Sequence, residues 1–307
     1  MEAVPRQRAA VRVAAVAALA LVFSLAAAAC GGASHPDPRR IAVIVLENKE
    51  YEQVIGSPQA PYLNSLARRY ALAEGYFGIR HPSLPNYIAI LGGSIFGIHT
   101  DCVRCHVPEA NLIDQLERAG ISWKGYMESM PGPCFRAKAS IDQTGLYAKR
   151  HNPFAYFDTV WRNPNRCAKV VPLTQLRKDM AAGKLPRFIW ITPNICHDMH
   201  DCGIRAGDRF LAGLVPSLLA KLGSKGVLFI TFDEGTSNAR CCDVAHGGHI
   251  PLIAAGRGAR PHGRSSRFYT HYSLLRTIEE SWGLRRIRGA RLNTTASLER
   301  LLAPNAK

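Results

Sequence analysis

Three apolar, largely β-branched runs constrain this chain most, because each is followed at once by polar side chains. The runs cover residues 41–46, 187–192 and 226–232. Continuous apolar runs of this kind are typical of strands buried on both faces of a parallel sheet. The polar residues that follow them are Glu47 and Asn48, the segment 197–201, and Asp233 with Glu234. Open α/β sheets bind ligands at the carboxyl ends of their strands, so the runs predict an α/β fold with its site at that edge.

The remaining periodic segments complete this prediction. Helical spacing and end signals predict helices, and shorter apolar runs predict two further strands. The helices are expected at 61–70, 111–120, 208–222 and 269–282, and the strands at 121–126 and 251–255. Residues 127–170 contain four prolines and two cysteines, and predict a long irregular insertion. We therefore expect one domain over residues 41–307, with this insertion inside it.

Ser83 lies in a segment that predicts the beginning of a helix. Pro85 suits a first helical turn, and Leu84, Ile88 and Leu91 fall on one face. Gly92 and Gly93 then end the helix. The N-terminal end of a helix carries partial positive charge, which suits a phosphate or an ionising hydroxyl. The alternative is that Ser83 is only an N-cap.

The polar residues at the strand ends suit a bound cation. Carboxylates and an Asn oxygen suit a hard divalent ion, and added histidines would also suit zinc. A cation beside Ser83 would lower the pKa of its hydroxyl and neutralise phosphate charge. In the insertion, Arg150 and His151 are candidates to face a phosphate. The alternative for these two residues is a solvated basic loop.

The net charge of the chain is +16, and residues 1–29 contribute only +2 of it. A basic surface favours anionic partners such as nucleic acid, anionic lipid or phosphorylated substrates. The basic residues are scattered and match no nucleic-acid motif. We therefore expect phosphorylated small molecules or lipid head groups, and no nucleic acid, as partners.

The first 40 residues predict export. Three arginines precede an apolar or small stretch over residues 13–29, which ends in Ala27-Ala28-Ala29-Cys30-Gly31. We expect a signal peptide over 1–29, a lipid-modified Cys30 and a tether over 30–40. The protein would then be anchored at the outer face of the cell membrane, or secreted. The alternatives are simple cleavage after the alanines, or an uncleaved anchor.

Eight cysteines follow Cys30, and an even number in an exported chain predicts disulfides. Their pairing is not predictable, because eight cysteines allow 105 arrangements. The segment Cys102-Val103-Arg104-Cys105-His106 also matches the attachment pattern of c-type haem, which leaves a haem-binding envelope protein as an alternative.

Five ordered motifs resemble a known family. They are Glu47-Asn48, His81-Pro82-Ser83 with Pro85-Asn86-Tyr87, Asp198-Met199-His200-Asp201, Asp233-Glu234-Gly235, and the segment 271–279. They resemble the bacterial phosphoesterase family, which holds secreted acid phosphatases and phospholipases C within the alkaline phosphatase superfamily. The resemblance spans about residues 41–284.

The resemblance implies an alkaline-phosphatase-like fold, in which helices sandwich a mostly parallel central sheet. It implies Ser83 as nucleophile, with His200 and Asp201 facing the phosphoryl group. It also implies a divalent metal ion held by five residues: Glu47, Asn48, Ser83, Asp233 and Glu234. Asn48, Arg150 and His151 are expected to contact the substrate. Related enzymes hold a second metal, for which His197, Asp198, His246 and His249 are candidates here.

We predict an exported acid phosphatase that hydrolyses phosphate monoesters, with phosphoinositides as one candidate substrate class. A monoester carries nearly two negative charges near neutral pH, which suits a site with a metal, a helix N-terminus and His200. An acidic pH optimum follows if His200 must be protonated in one step. The alternatives are a phospholipase C and a non-catalytic lipoprotein. We expect a monomer.

Overall fold

The computed structural model describes residues 1–2, 39–135 and 142–304. Contacts divide the chain into residues 1–35 and 36–307, and the fold below concerns the second unit. Cys30, and the expected signal peptide apart from its first two residues, lie outside the described residues. Within the described part of the chain, no helix is both long enough and apolar enough to cross a membrane.

One sheet of eight strands forms the centre of the fold. Its strands are β1 (Ile41–Leu46), β2 (Ala71–Phe77), β3 (Trp123–Met127), β4 (Val170–Pro172), β5 (Phe188–Thr192), β6 (Val227–Phe232), β7 (His249–Ala255) and β8 (Arg264–Thr270). They lie in the order β4-β3-β5-β1-β6-β7-β2-β8. Every pairing is parallel except the two made by β7. The α/β class predicted from the sequence is confirmed.

The central position of β1 follows from its composition. All six residues of β1 are buried, and Ile41 pairs with Phe188 of β5 on one side and Val227 of β6 on the other. Branched apolar side chains on both faces of β1 exclude water from the sheet. The three runs that dominate the sequence are thus the three adjacent central strands.

Nine α-helices flank the sheet in the described ranges. They are α1 (Tyr51–Val54), α2 (Pro61–Arg69), α3 (Ser83–Gly92), α4 (Leu112–Arg118), α5 (Asp158–Trp161), α6 (Pro164–Cys167), α7 (Thr174–Ala181), α8 (Ile204–Lys221) and α9 (His271–Ser281). Helix α3 packs beside α9, and α2 beside α8. Helix α3 ends where Gly93 adopts a positive φ of 69°, as its two glycines predict.

Three strands were not expected from the sequence. β2 contains Glu74 and Gly75, which interrupt its apolar pattern, and β4 has three residues. β8 is an edge strand with four exposed residues, so it has no apolar signature. The expected insertion is also less irregular than predicted, because it holds α5, α6 and two short 3-10 helices, Lys149–His151 and Pro153–Ala155.

All eight cysteines after Cys30 form disulfides. The pairs are Cys102–Cys105, Cys134–Cys167, Cys196–Cys202 and Cys241–Cys242. Cys134–Cys167 closes the insertion, as an oxidised framework would require. The Cys102–Cys105 bond uses the two thiols that haem attachment would need, and His106 instead contacts Asp158. The structure therefore favours disulfides over haem attachment.

Candidate active site

The carboxyl ends of β1, β5 and β6 bring the predicted acidic residues together. The N–H of Glu47, just after β1, donates to the carbonyl of Asp198 in the loop that follows β5, at 2.8 Å. The N–H of Asp233, just after β6, donates to the carbonyl of Leu46 at 2.9 Å. These backbone bonds fix three carboxylates, all fully buried, at one edge of the sheet.

Ser83 is the first residue of helix α3, rather than its N-cap. Pro82 occupies the cap position, and the Ser83 side chain does not cap the helix. Its hydroxyl instead donates to Oε2 of Glu47 at 2.9 Å. The sequence correctly placed Ser83 at a helix N-terminus, and the bond to Glu47 shows that its side chain faces the carboxylate cluster.

A carboxylate shares this helix N-terminus. Oδ1 of Asp101 accepts the N–H of Leu84 at 2.9 Å, where sequence reasoning expected a phosphate or an ionising hydroxyl. Oδ2 of Asp101 lies 3.6 Å from Nε of Arg150. Arg150 therefore lies close to the N-terminus of α3, where Ser83 is. A cation that binds the substrate phosphate would need this position.

Glu47 lies at the centre of the cluster, because each of its oxygens has a separate set of neighbours. Oε2 accepts from Ser83, while Oε1 accepts from Tyr87 Oη at 2.6 Å and lies 3.2 Å from Nε2 of His151. Burial, with the nearby charges of Asp233 and Asp198, raises the pKa of Glu47 well above its ordinary value.

His151 is buried inside the cluster, and not on a solvated loop. Its Nδ1 lies 3.2 Å from Oδ2 of Asp198, and its ring stacks on Tyr87 at 5.3 Å. Neither ring nitrogen has hydrogen-bond geometry toward its carboxylate. Burial lowers the pKa of His151 well below its ordinary value and raises the pKa of Asp198 to about 7. Glu47, His151 and Asp198 together can hold a metal ion.

Asn48 lies beside two buried carboxylates. Its terminal amide lies 2.9 Å from Oε2 of Glu47 and 3.3 Å from Oδ1 of Asp233, and both contacts are hydrogen bonds when the amide nitrogen faces these oxygens. Oδ2 of Asp233 is buried, and the described residues offer it no hydrogen bond. These oxygens fit a divalent cation.

Glu234 is held by His81, a motif residue to which the sequence analysis assigned no role. Nδ1 of His81 lies 2.7 Å from Oε2 of Glu234, and Nε2 lies 2.9 Å from the carbonyl of Ser237. Both ring nitrogens face acceptors, so both must donate, and these bonds raise the pKa of His81 to about 9. Glu234 is therefore aimed at the site by an imidazolium.

His200 and Asp201 lie at the rim. Nδ1 of His200 is 2.5 Å from Oδ1 of Asp201, and its ring centre is 6.4 Å from that of His151. The backbone N–H of His200 donates to Oδ1 of Asp198 at 2.8 Å. The His200 side chain is also partly exposed. A histidine that is bonded to the buried cluster and open to solvent is suited to exchange protons with water.

The candidates for a second metal are not brought together. Asp198 joins the cluster, but His197 contacts Glu128 and stacks on Phe210. His249 faces Glu52 and the carbonyl of Glu74, and His246 is exposed. The structure offers Glu47, His151 and Asp198 as the alternative group.

A model of the family described as "Phosphoesterase family" matches residues 56–285 of the chain. The chain belongs to the Phosphoesterase family. This Phosphoesterase family member is 31% identical to an acid phosphatase of Aspergillus fumigatus, over 80% of this chain and 55% of the other. It is 30% identical to a phosphatidylinositol-3-phosphatase of Mycobacterium tuberculosis, over 81% of this chain and 78% of the other.

The fold of this Phosphoesterase family member is similar to that of a protein in the alkaline phosphatase superfamily. A solved structure from that superfamily, from Vibrio parahaemolyticus, aligns with a TM-score of 0.61 at 12% identity. The alignment covers 87% of this chain and 71% of the other. The chain spans less than two thirds of the length of the fungal acid phosphatases that it matches.

Sequence reasoning missed several neighbours of the site in this Phosphoesterase family member. Tyr87 and His81 lie within the quoted motif around Ser83, but nothing in the spacing indicates their contacts with Glu47 and Glu234. Asp101 is the least predictable, because it reaches the helix end from a loop. Lys49 follows Asn48, and its Nζ donates to the Asn48 carbonyl at 3.1 Å. Its position directly after Glu47-Asn48 was the available signal.

Proposed function

We propose that the protein hydrolyses phosphate monoesters with a divalent metal ion, through a phosphoserine intermediate. The observation that carries this proposal is the 2.9 Å contact between the Ser83 hydroxyl and Glu47, beside the buried Oδ2 of Asp233, to which the described residues offer no hydrogen bond. A hydroxyl so placed can lose its proton to a carboxylate while it attacks phosphorus. Membership of the family and the named acid phosphatases among its relatives support the same reaction.

The five residues proposed to hold the metal fit that role by their donor atoms. They are Glu47, Asn48, Ser83, Asp233 and Glu234. Their oxygens suit Mg²⁺, Ca²⁺ or Mn²⁺, and zinc also accepts carboxylate ligands. When bound, a divalent cation would polarise the phosphoryl group and offset its charge.

The first proposed step forms the bond between Ser83 Oγ and phosphorus, and breaks the bond between phosphorus and the ester oxygen. The Ser83 proton passes to Glu47 Oε2, which already accepts its hydrogen bond. His200, oriented by Asp201, protonates the departing oxygen.

In the second proposed step, water attacks phosphorus and the bond to Ser83 breaks. His200, now neutral, takes the proton of the water, and Ser83 recovers its own from Glu47. A requirement for protonated His200 in the first step gives an acidic pH optimum.

The proposed substrates are small or lipid-borne phosphate monoesters, including phosphoinositides. Arg150 reaches the beginning of α3 beside Ser83, so it can contact a phosphoryl oxygen. Asn48 and His151 are the other proposed substrate contacts, and His151 would act from within the buried cluster. A relative named as a phosphatidylinositol-3-phosphatase supports lipid head groups as one substrate class.

The purified protein should be given a phosphate monoester and a choline phosphodiester, across pH, with and without a chelator. We expect the monoester to have the larger kcat/KM, an acidic optimum and a complete loss of turnover with chelator. A larger kcat/KM for the diester would identify a phospholipase C. Full activity in metal-free enzyme would contradict the proposed requirement for a divalent metal ion.

We also propose that the protein is exported and anchored through a lipid on Cys30, as a monomer that does not bind nucleic acid. Mass spectrometry of the mature N-terminus tests the anchor, and Cys30→Ala should release the protein or leave it unprocessed. An unmodified N-terminus at Gly31 or beyond would contradict it.

A further inference from the structure

A concave surface rich in arginine lies far from the candidate active site. The cavity has a volume of about 540 Å³ and lies between helix α4 and the segment that follows α9. Five arginines line it: Arg118, Arg285, Arg286, Arg288 and Arg291. We call these five residues, with Leu292, the arginine face.

Few acidic side chains lie near these five arginines. The described residues that line the cavity include no Asp or Glu. Glu280, nearby, contacts both Arg276 and Arg286. Glu279 is buried, where it accepts the N–H of Ile287, and burial raises its pKa to about 7. A concave group of arginines with so few counter-charges attracts anions, and guanidinium is well suited to phosphate.

An apolar side chain accompanies the arginines. Leu292 directly follows Arg291, and 42% of its surface is exposed, which makes it one of four large apolar residues exposed among those described. A phosphate ligand in solution would contact the arginines but not an apolar side chain. The interface of a lipid bilayer can bind both the arginines and Leu292. The described lining residues also include no aromatic ring on which nucleic-acid bases could stack.

Two helices connect this face to the site. Arg288 donates to the carbonyl of Gly92 at the last residue of α3, whose first residue is Ser83. Helix α9 begins at His271, which donates to the carbonyl of Asp233, and ends at Ser281. Helices of ten and eleven residues are about 15 Å long, so the arginine face and the site lie at opposite ends of both.

The chain enters the domain at the same end. Arg39, which directly precedes Arg40 and strand β1, donates to the carbonyl of Ser281 at 2.6 Å. In the sequence, Cys30, the proposed site of the lipid, lies nine residues before it. Nine residues span at most about 30 Å, so an anchor at Cys30 would keep this end of the domain within reach of the bilayer.

We propose that the arginine face binds the surface of an anionic phospholipid bilayer. The guanidinium groups contact lipid phosphates, and Leu292 enters the interfacial layer. The active site then faces away from that membrane and takes substrate from the surrounding solution or from an apposed surface.

The test measures partition of the full chain onto sedimented lipid vesicles. Cys30→Ala is present in every arm, so that no acyl chain contributes. The vesicles contain phosphatidylcholine alone, or an equal mixture of phosphatidylcholine and phosphatidylglycerol. The ratio of the two partition coefficients isolates the electrostatic contribution, because residues 13–29 contribute alike to both. We expect a ratio well above one that falls as salt is raised.

The variant R285E/R291E should lower this ratio by roughly tenfold or more, since each basic residue near an anionic surface contributes about 1 kcal/mol. The matched control is R205E/R209E, which reverses two exposed arginines on α8 and should leave the ratio unchanged. Leu292→Asn should weaken binding to both kinds of vesicle.

Melting temperature and turnover of a soluble monoester should be the same in wild type and in the arginine-face variant. An equal ratio for wild type and R285E/R291E would overturn the proposal. A second result would also overturn it: wild type binds a single-stranded oligonucleotide more strongly than anionic vesicles, and R285E/R291E loses that binding. A chain without any phosphatase activity would leave the vesicle result standing, because the two proposals fail separately.

Discussion

The hydroxyl of Ser83 and Oε2 of Glu47 lie 2.9 Å apart, although the two residues are 36 positions apart in the sequence. The contact joins the N-terminus of α3 to the carboxyl end of β1. It places a weakly acidic hydroxyl against a carboxylate oxygen that already accepts its hydrogen bond, which is the geometry of a proton acceptor.

Ser83→Ala should lower kcat by about 10³-fold or more, because it removes the proposed nucleophile. Acid-quenched wild-type enzyme should carry a phosphate on the peptide that contains Ser83, detectable by mass spectrometry. Ser65→Ala, an exposed helical serine, is the control and should keep full activity. A Ser83→Ala enzyme with more than about a tenth of wild-type turnover contradicts the assignment.

Asp233→Asn should lower the metal content of the purified protein, because it removes a buried negative charge beside Asn48. Elemental analysis after dialysis measures the loss. Asp179→Asn is the matched control: Asp179 is also buried, but it pairs with Lys124 and Tyr126 away from the site. Equal metal content in both variants would show that the ion is bound elsewhere.

His81→Gln should weaken metal binding by about 10- to 100-fold, because His81 orients Glu234 through a 2.7 Å contact. Titration of the metal-free protein gives the dissociation constant. His249→Gln is a close control, since His249 also contacts a carboxylate and a carbonyl, those of Glu52 and Glu74. Unchanged affinity in His81→Gln would mean that Glu234 does not bind the ion.

Glu279→Gln should stabilise the fold more at pH 8 than at pH 5. Burial raises the pKa of Glu279 to about 7, above its value in the unfolded chain. As pH rises from about 4.3 to about 7, Glu279 ionises in the unfolded chain before it ionises in the folded protein, so the free energy of unfolding falls. A Gln cannot ionise, and the gain at pH 8 should be on the order of 2 kcal/mol.

Thermal melts at pH 5 and pH 8 measure this difference. Glu109→Gln changes an exposed carboxylate and should shift neither melt. A Glu279→Gln protein with the same gain at both pH values would show that ionisation is not the cause.

The eight cysteines after Cys30 should be unreactive toward a thiol reagent in the denatured, unreduced protein, since the structure pairs them all. After reduction, all eight should react. Several reactive thiols before reduction would contradict the pairing.

The central part of the fold was predictable because its signal is local. β1, β5 and β6 are continuous apolar runs, so their burial can be predicted from adjacent residues alone. β8 is an edge strand whose pairing to β2 depends on the rest of the sheet, and its sequence shows little of that. The helix that begins at Ser83 was predicted. The carboxylate of Asp101, which accepts the N–H of Leu84 in its first turn, was not, because Asp101 comes from a separate loop.

The candidate site shows the same division. Glu47, Asn48, Asp233 and Glu234 were predictable as residues at strand ends. His151 was expected beside a phosphate on a basic loop, yet a short 3-10 turn carries it between Glu47 and Asp198. That placement depends on how the insertion packs against β1, and residue spacing within the insertion does not reveal it.

The two-sided engagement of Glu47 limits how the site can change by mutation. Its oxygens accept hydrogen bonds from Ser83 on one side and Tyr87 on the other. Gln would turn an amide N–H₂ toward one of these two donors, and Asp would be one methylene too short to reach both. A single substitution at Glu47 therefore disturbs both groups at once, so new substrate preferences would arise more readily from other residues, such as the buried Arg150 and the exposed His200.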